Sequence, residues 1–190
     1  MKICPGAVVT PSPYFIDTFR YFFKRFYSQE KLTQWFLRKA GEETLPFDFP
    51  DMLKMHPRTI VFLPRELEHS VKFMKSMPDG WFKNILFCTH ESQHSVISAR
   101  RTHAVYYSDK ECRYGEPVFS EIQKKLRDFN PQVCIYLDEP FLPRLYLAKT
   151  CNAACRIGFA NENLYPFLNL SLHRGSKSEA ETISEYYGVR

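Results

Sequence analysis

Short apolar runs alternate with amphipathic segments from residue 58 to the end of the chain. The run at 132–137 (QVCIYL) is the most apolar, and the run at 58–63 (RTIVFL) lacks strict alternation. Such runs are typical of strands that are covered by helices on both faces. The pattern predicts strands at 58–63, 83–88, 103–108, 132–137, 155–159 and 167–172, and helices at 66–76, 91–101, 116–129, 142–149 and 177–187.

Strands that alternate with helices form parallel sheets through right-handed crossovers. We therefore predict an α/β fold, a three-layer, doubly wound, mostly parallel sheet of the Rossmann-like kind. In such sheets the ligand crevice lies at the carboxyl ends of the strands, where the strand order reverses. If the first and fourth strands flank that reversal, the loops 64–66 and 138–140 meet there.

The N-terminal part of the chain follows another pattern. Phenylalanines recur at helical spacing between residues 15 and 26, and Ser28 is a suitable N-cap for a further helix. The pattern predicts two short helices, or one helix kinked near Ser28, and then a connector over 42–56. The predicted organisation is an N-terminal basic aromatic helical segment with its connector at 1–56 and a Rossmann-like domain at 57–190.

Most of the net charge lies in this N-terminal segment. Residues 14–40 contain six basic and two acidic side chains, or +4, whereas the whole chain of 190 residues carries +5. One interpretation is a basic amphipathic segment that lies on an anionic membrane surface. The other, which we favour, is a helical hairpin that packs on the following domain, because an apolar stripe at helical spacing is usually core. A charge of +5 is too small for a dedicated nucleic-acid-binding protein, so no nucleic-acid partner is predicted.

Composition narrows the location of the protein. The mean hydropathy is −0.37, and no apolar run approaches the ~18–20 residues that span a bilayer. Pro5 and Gly6 interrupt the start of the chain, so no secretory signal is expected. The six cysteines include no CxxC pair, and reduced thiols in a cytoplasmic protein are the expected state.

Candidate acids and bases follow two of the predicted strands. Asp138 and Glu139 come after the fourth strand, and α/β enzymes place acids and bases at the carboxyl ends of strands. The alternative, which we favour, is that they are acids before Pro140, which would start the next helix. The same two interpretations apply to Glu66 and Glu68 after the first strand.

Two arginines are candidate ligand-binding residues. Arg65 lies in the loop after the first strand, and Arg156 precedes Gly158 in the segment RIGF. A glycine at this place permits a close backbone approach at the strand. Arg156 is expected either to serve an anionic ligand or to pair with Asp138 or Glu139.

Residues 90–94 match the zinc motif HExxH. In zinc hydrolases both imidazoles project from one face of a long helix, and the glutamate activates a metal-bound water. Here His90 lies at a strand-to-helix corner and no third ligand is identifiable, so a zinc site at His90 and His94 is the less favoured alternative. The simpler interpretation is a polar helix start in which Glu91 favours the positive end of the dipole. His90 stays a candidate ligand-binding residue of the crevice.

The standard cofactor loops are missing from the sequence. It contains no GxGxxG, no GxxxxGK[ST] and no GxSxG motif, and only 7 glycines. A backbone cradle for a pyrophosphate is therefore poorly supported. We predict no cofactor and no metal.

A family resemblance is carried by the second half of the chain, which contains FxxIxxxLRxxxP, then a strand that ends in Leu-Asp, then RIGF. With the segment 170–189, these motifs resemble the N-terminal half of glycosyltransferase family 9, the ADP-heptose:lipopolysaccharide heptosyltransferases. The resemblance covers roughly residues 58–190. The matching positions are Phe119, Ile122, Leu126, Arg127, Pro131, the strand 133–138 and the segment 156–159.

The resemblance implies half of a GT-B fold, in which two Rossmann-like domains enclose the active site and the N-terminal half faces the acceptor. The family carries a Gly-Asp after its first strand, and its Asp acts as the catalytic base. This chain has Leu-Pro-Arg-Glu there, so Glu66 is the candidate catalytic residue, without the glycine of the tight turn.

The expected function is that of a stand-alone relative of this half. It would be a ligand- or partner-binding module, or an inactive glycosyltransferase relative, linked to envelope polysaccharide synthesis, with a saccharide or nucleotide-sugar as ligand. The alternatives are a glycosyltransferase component completed by a partner subunit or a homodimer, and a zinc-dependent hydrolase. The expected location is cytoplasmic, with peripheral contact at the inner membrane through residues 14–40.

Overall fold

The computed structural model describes residues 29–41, 46–99, 102–108, 120–159, 162–173 and 175–188. The described strands are β1 (Thr59–Phe62), β2 (Ile85–His90), β3 (Ala104–Tyr107), β4 (Val133–Tyr136), β5 (Cys155–Phe159) and β6 (Leu170–Leu172). The described α-helices are α1 (Gln29–Gly41), α2 (Asp51–Lys54), α3 (Leu67–Ser76), α4 (His94–Ala99), α5 (Ser120–Phe129), α6 (Leu142–Thr150) and α7 (Glu179–Tyr186).

The six strands form one sheet in the order β3-β2-β1-β4-β5-β6, and every described pair is parallel. This is the order of the doubly wound, Rossmann-like fold. The predicted α/β fold class is therefore confirmed. The order reverses between β1 and β4, because the chain builds outward from β1 to β3 on one side and from β4 to β6 on the other.

One face of the sheet is covered by α1, α5 and α6. Ile60 and Phe62 of β1 and Tyr136 of β4 point into this layer, where they meet apolar residues such as Leu126 and Leu145. Each of these side chains is at most 1 % exposed. The layer is therefore a closed apolar core.

The opposite face is covered by α3, α4 and α7. Val61 of β1 and Ile135 of β4 point to this side and pack with Phe73, Ile97 and Ile183. Because successive side chains of a strand point to opposite faces, burial on both faces requires an unbroken apolar run. This explains why the predicted strands did not alternate.

The predicted boundaries differ at the last and second strands. β6 begins at Leu170, three residues after the predicted start. β2 continues to His90, two residues beyond the predicted 83–88, because Thr89 and His90 still pair with Tyr106 and Tyr107 of β3. The predicted helix at 91–101 is also different in form. It consists of a 3₁₀ turn over Glu91–Gln93, followed by the short helix α4.

The basic N-terminal segment is described from Gln29 onward, and the predicted helix over 15–26 lies outside the described residues. α1 packs on α6 through Phe36, whose ring centroid is 4.5 Å from that of Tyr146 and 6.5 Å from that of Phe167. Phe36 and Leu37 belong to the same apolar cluster as the strands. The described half of the segment therefore packs on the sheet domain. The described part of the connector includes the short helix α2.

Two further properties bear on the sequence expectations. Within the described ranges, no helix has the length and apolar character needed to cross a bilayer. Four cysteines, Cys88, Cys134, Cys151 and Cys155, are free thiols in the buried core. Burial raises the pKa of the Cys88 and Cys155 thiols to about 12, so these two side chains act as small apolar groups.

Candidate functional site

The loops after β1 and β4 meet at the point where the strand order reverses. The backbone N–H of Arg65 donates to Oδ2 of Asp138 at 3.1 Å. The loops 64–66 and 138–140 are therefore in contact, as the sequence predicted. This is the edge at which open α/β sheets bind their ligands.

A buried arginine from α6 holds the two loops together. Arg144 is fully buried, and its guanidinium donates through Nη1 to Oδ2 of Asp138 and through Nη2 to the carbonyl oxygen of Leu63. Oδ1 of Asp138 also accepts from the backbone N–H of Glu139 at 2.9 Å. Asp138 is thus occupied in fixing the loops, and its carboxylate is a structural anchor of the site.

Aromatic rings surround this ion pair. The guanidinium carbon of Arg144 lies 5.4 Å from the ring centroid of Tyr136 and 5.8 Å from that of Tyr107. Burial raises the pKa of both phenols, and the nearby Arg144 offsets only part of that rise. The two tyrosines are therefore neutral at physiological pH, and the charge that balances Arg144 comes from Asp138.

A side chain from the β2–α4 connection fixes the same loop from the other side. The Gln93 amide is buried and donates from Nε2 to the carbonyl oxygens of Pro64 at 2.8 Å and Arg65 at 3.0 Å. Its own oxygen accepts from the Thr89 hydroxyl. The loop after β1 is consequently held by its neighbours on both sides in the sheet.

A cleft of about 480 Å³ opens beside these loops. Its apolar wall includes Phe159, Leu164 and Leu172, and among the described residues that line it there is no lysine or arginine. The polar lining consists of four carboxylates and two imidazoles: Glu66, Asp138, Glu139, Glu179, His69 and His173.

Two of these polar residues form a pair across the cleft wall. His69 Nε2, on α3, lies 2.7 Å from Oε2 of Glu179, the first residue of α7. The Glu179 side chain is 10 % exposed and the His69 side chain 32 %. A neighbouring pocket of about 420 Å³ is lined by both residues as well, so the pair lies where the two cavities join.

The other candidates from the first loop are divided between two surfaces. Glu66 is exposed, directly precedes α3 and lines the cleft. Glu68 is exposed on α3 and faces a separate shallow groove beside Leu67 and Val71. Arg65 is exposed, and its guanidinium carbon lies 4.9 Å from the ring centroid of Phe141. Glu66 is therefore the residue of this loop that a ligand in the cleft would meet.

The two histidines of the HExxH pattern lie on opposite faces of the sheet. The His90 ring centroid is 5.5 Å from that of Tyr107, and the His94 ring centroid is 4.9 Å from that of Tyr106. Adjacent strand residues point to opposite faces, so the imidazoles are directed apart, unlike those on a zinc-binding helix. The described part of the chain contains no group of three or more side chains suited to hold a metal ion. Neither histidine is among the residues that line the cleft.

Arg156 lies on β5, opposite Cys134 of β4. It is nearly buried, and its guanidinium carbon is 5.2 Å from the ring centroid of Phe167. The arginine that pairs with Asp138 is Arg144. At Gly158 the approaching group is a side chain and not backbone, since a Cβ atom there would lie 2.2 Å from Cδ1 of Leu168.

The interpretation that Asp138 and Glu139 precede a helix that starts at Pro140 is wrong. α6 begins at Leu142 and has Pro143 in its first turn, so Pro140 does not start the helix. The N-cap position is Phe141, whose side chain makes no capping hydrogen bond. Glu139 instead lines the cleft.

Sequence reasoning missed Arg144, Gln93 and Glu179. Arg144 had a detectable signal, because a single arginine within the apolar helix LPRLYLA is buried and must be paired. Glu179 had no such signal, since its partner His69 is 110 residues away along the chain.

Searches of protein-family models, curated proteins and solved structures find no match to this chain.

Proposed function

We propose that this chain is a Rossmann-like domain that binds a saccharide in the cleft beside β1 and β4. The observation that supports this is the polar lining, in which carboxylates and imidazoles face an apolar wall and no described lysine or arginine takes part. Carboxylates and neutral imidazoles accept hydrogen bonds from hydroxyl groups, and the apolar wall suits the C–H face of a sugar ring. This combination fits a neutral polyhydroxylated ligand.

The same lining argues against a nucleotide-sugar as the ligand of this cleft. A diphosphate would face the carboxylates of Glu66, Glu139 and Glu179, and like charges repel in a partly buried site. The backbone N–H of Arg65, which a phosphate would need in the first loop, already donates to Asp138. We therefore prefer a saccharide to a nucleotide-sugar.

The resemblance to the N-terminal half of glycosyltransferase family 9 agrees with this choice, because that half faces the acceptor saccharide. On this proposal the chain is a glycosyltransferase-like, heptosyltransferase-like GT-B half linked to envelope polysaccharide synthesis. Glu66 is the exposed carboxylate of the first loop that would meet the acceptor. Glycosyl transfer would further need a donor site from a partner subunit or a second copy of this chain.

Binding is tested by ¹H–¹⁵N NMR with D-glucose, D-mannose, N-acetyl-D-glucosamine and UDP-glucose as probes. We expect a saccharide to shift the resonances of His69, Glu179 and His173. Glu66→Ala should weaken binding about tenfold, the effect of losing one hydrogen bond to a charged group. Glu68→Ala is the matched control outside the cleft and should bind as the wild type does. Tighter binding of UDP-glucose than of every saccharide would contradict the proposal.

We also propose a peripheral contact between the basic N-terminal segment and an anionic membrane. α1 buries Phe36 and Leu37 but leaves Trp35 58 % exposed, with the Lys39 ammonium 5.4 Å from its ring centroid. A tryptophan beside basic residues is typical of membrane interfaces.

Vesicles of phosphatidylcholine should sediment more protein when they contain phosphatidylglycerol. The double substitution Trp35→Ala and Lys39→Ala should reduce the difference between the two vesicle types. Met55→Ala, also at an exposed apolar residue, is the control. Equal sedimentation with both vesicle types would exclude this contact.

A further inference from the structure

His69 and Glu179 form a close pair in the wall of the cleft. The two residues come from the first turns of α3 and α7, and the gap between Nε2 and Oε2 is 2.7 Å. The carboxylate is the more buried member and the imidazole the more exposed one. The imidazole of His69 thus contacts Glu179 on one side and borders the cleft on the other.

The carboxylate determines which ring nitrogen of His69 carries the proton. A carboxylate only accepts hydrogen bonds, so Nε2 must carry the hydrogen that meets Oε2 of Glu179. In the neutral imidazole the other nitrogen, Nδ1, is then a hydrogen-bond acceptor. Partner carboxylates fix ring orientation and tautomer in this way in other histidine sites.

Several charged and titratable groups border the same two cavities. Asp138 is balanced by Arg144, and Glu181 is engaged in the capping box of α7 with Ser178. The groups that surround His69 in these cavities are Glu66, Lys72, Asp138, Glu139, His173, Lys177 and Glu179. Of these, Glu179 is the one in hydrogen-bond contact with the ring.

We propose that His69, oriented by Glu179, is the hydrogen-bond acceptor for a hydroxyl group of the bound saccharide. The inference rests on the proposed function and identifies a residue that contacts the bound saccharide. Glu179 is a positioning residue, because it acts through the imidazole.

The first experiment needs no ligand. Long-range ¹H–¹⁵N NMR of protein with labelled histidine reports the tautomer of each ring, and at pH 8 we expect the Nε2–H form for His69. Glu179→Ala should release this preference, whereas Glu179→Gln should retain the contact in a folded protein, because the amide oxygen still accepts from Nε2–H. An Nδ1–H tautomer of His69 in the wild type would overturn the inference whatever the cleft binds.

The second experiment uses methyl α-D-glucopyranoside and methyl α-D-mannopyranoside as probes at pH 8. We expect the Nδ1 resonance of His69 to shift on binding. His69→Ala should weaken binding about fivefold, because one hydrogen bond is lost. His103→Ala, at an exposed histidine before β3, should bind the glycosides as the wild type does.

The outcomes separate the two proposals. If a glycoside shifts the backbone resonances of the cleft but leaves the His69 Nδ1 resonance unmoved and binds His69→Ala as tightly as the wild type, the inference is wrong and the proposed function stands. If no saccharide shifts any resonance of the cleft, both are wrong.

Discussion

Arg144 occupies a position where a charge is stable only with its partners in place. Its side chain is fully buried between two neutral tyrosine rings, and Asp138 and the Leu63 carbonyl are its hydrogen-bond acceptors. Breaking a buried pair by removing one member leaves an uncompensated charge. At the scale of single residues, the geometry of the cleft therefore depends on this arginine.

Arg144→Met should lower the free energy of unfolding by about 3–5 kcal/mol, because Asp138 then loses its cation. Urea unfolding followed by circular dichroism measures the change. Glu139→Gln alters a neighbouring carboxylate that is exposed, and it should change stability by no more than about 0.5 kcal/mol. Similar midpoints for Arg144→Met and the wild type would show that the anchor is not needed.

A second residue-scale prediction concerns the glycine of β5. Gly158→Ala would place a methyl group against Leu168, and overpacking of this kind typically costs about 1–3 kcal/mol. Leu168→Ala creates the missing space, so Gly158→Ala should cost clearly less in that background. The double-mutant cycle is measured by urea unfolding, and additive effects of the two substitutions would disprove the close contact.

At the scale of elements, α7 is the best-defined helix start. Ser178 and Glu181 form a reciprocal capping box, in which the Ser178 hydroxyl accepts from the Glu181 N–H and the Glu181 carboxylate accepts from the Ser178 N–H. The hydrogen bonds from the Ser178 backbone and then from its hydroxyl lower the pKa of Glu181. A carboxylate with a lowered pKa stabilises the fold above its unfolded-state pKa, and this contribution is lost as the pH falls through the folded-state pKa.

Glu181→Gln should therefore reduce stability more at pH 7 than at pH 3, because the contribution of the carboxylate is progressively lost as the pH falls through its lowered pKa. Thermal unfolding at both pH values tests this. Glu68→Gln is the control for the loss of an exposed helix carboxylate. A larger effect of Glu181→Gln at pH 3 than at pH 7 would have the wrong sign for this cap.

The elements themselves were largely predictable, because their signals are local. Strands buried on both faces have unbroken apolar runs, and β5 was predicted at its observed bounds. Errors arose where polar residues continue a strand, as at Thr89 and His90, whose ladder partners belong to β3. The Pro140 error is of another kind: the helix was predicted to begin at Leu142, as α6 does, and only the assignment of Pro140 to its start was wrong, because Phe141 is the N-cap and Pro143 lies in the first turn.

The whole molecule depends on contacts that no local pattern encodes. The pairing of His69 with Glu179 requires α3 and α7 to lie side by side, and this follows from the strand order. The partners of Arg144, which are Asp138 and the carbonyl oxygen of Leu63, become evident only when α6 is packed on the sheet. The loops of the crevice could be predicted, whereas the residues that shape it depend on packing between distant elements.

The packing of α1 on the sheet domain depends on Phe36. Phe36 joins α1 to the core and is 4 % exposed, whereas its neighbour Trp35 is 58 % exposed. Phe36→Ala should lower the free energy of unfolding by about 3–5 kcal/mol, and Trp35→Ala by about 0.5 kcal/mol or less. Urea unfolding of the full chain compares them. Equal effects would mean that α1 is not part of the folded core.

The main chain of residues 63–65, in the loop after β1, is already engaged in hydrogen bonds. The carbonyl oxygens of Leu63, Pro64 and Arg65 accept from Arg144 and Gln93, and the Arg65 N–H donates to Asp138. Where Rossmann-like proteins recognise ligands with the main chain of this loop, the main chain of residues 63–65 is engaged here, and the Glu66 residue lines the cleft instead. Side chains can be exchanged one at a time without disturbing the loop, so substitutions at Glu66 or His173 are the natural route to altered ligand preference by directed evolution.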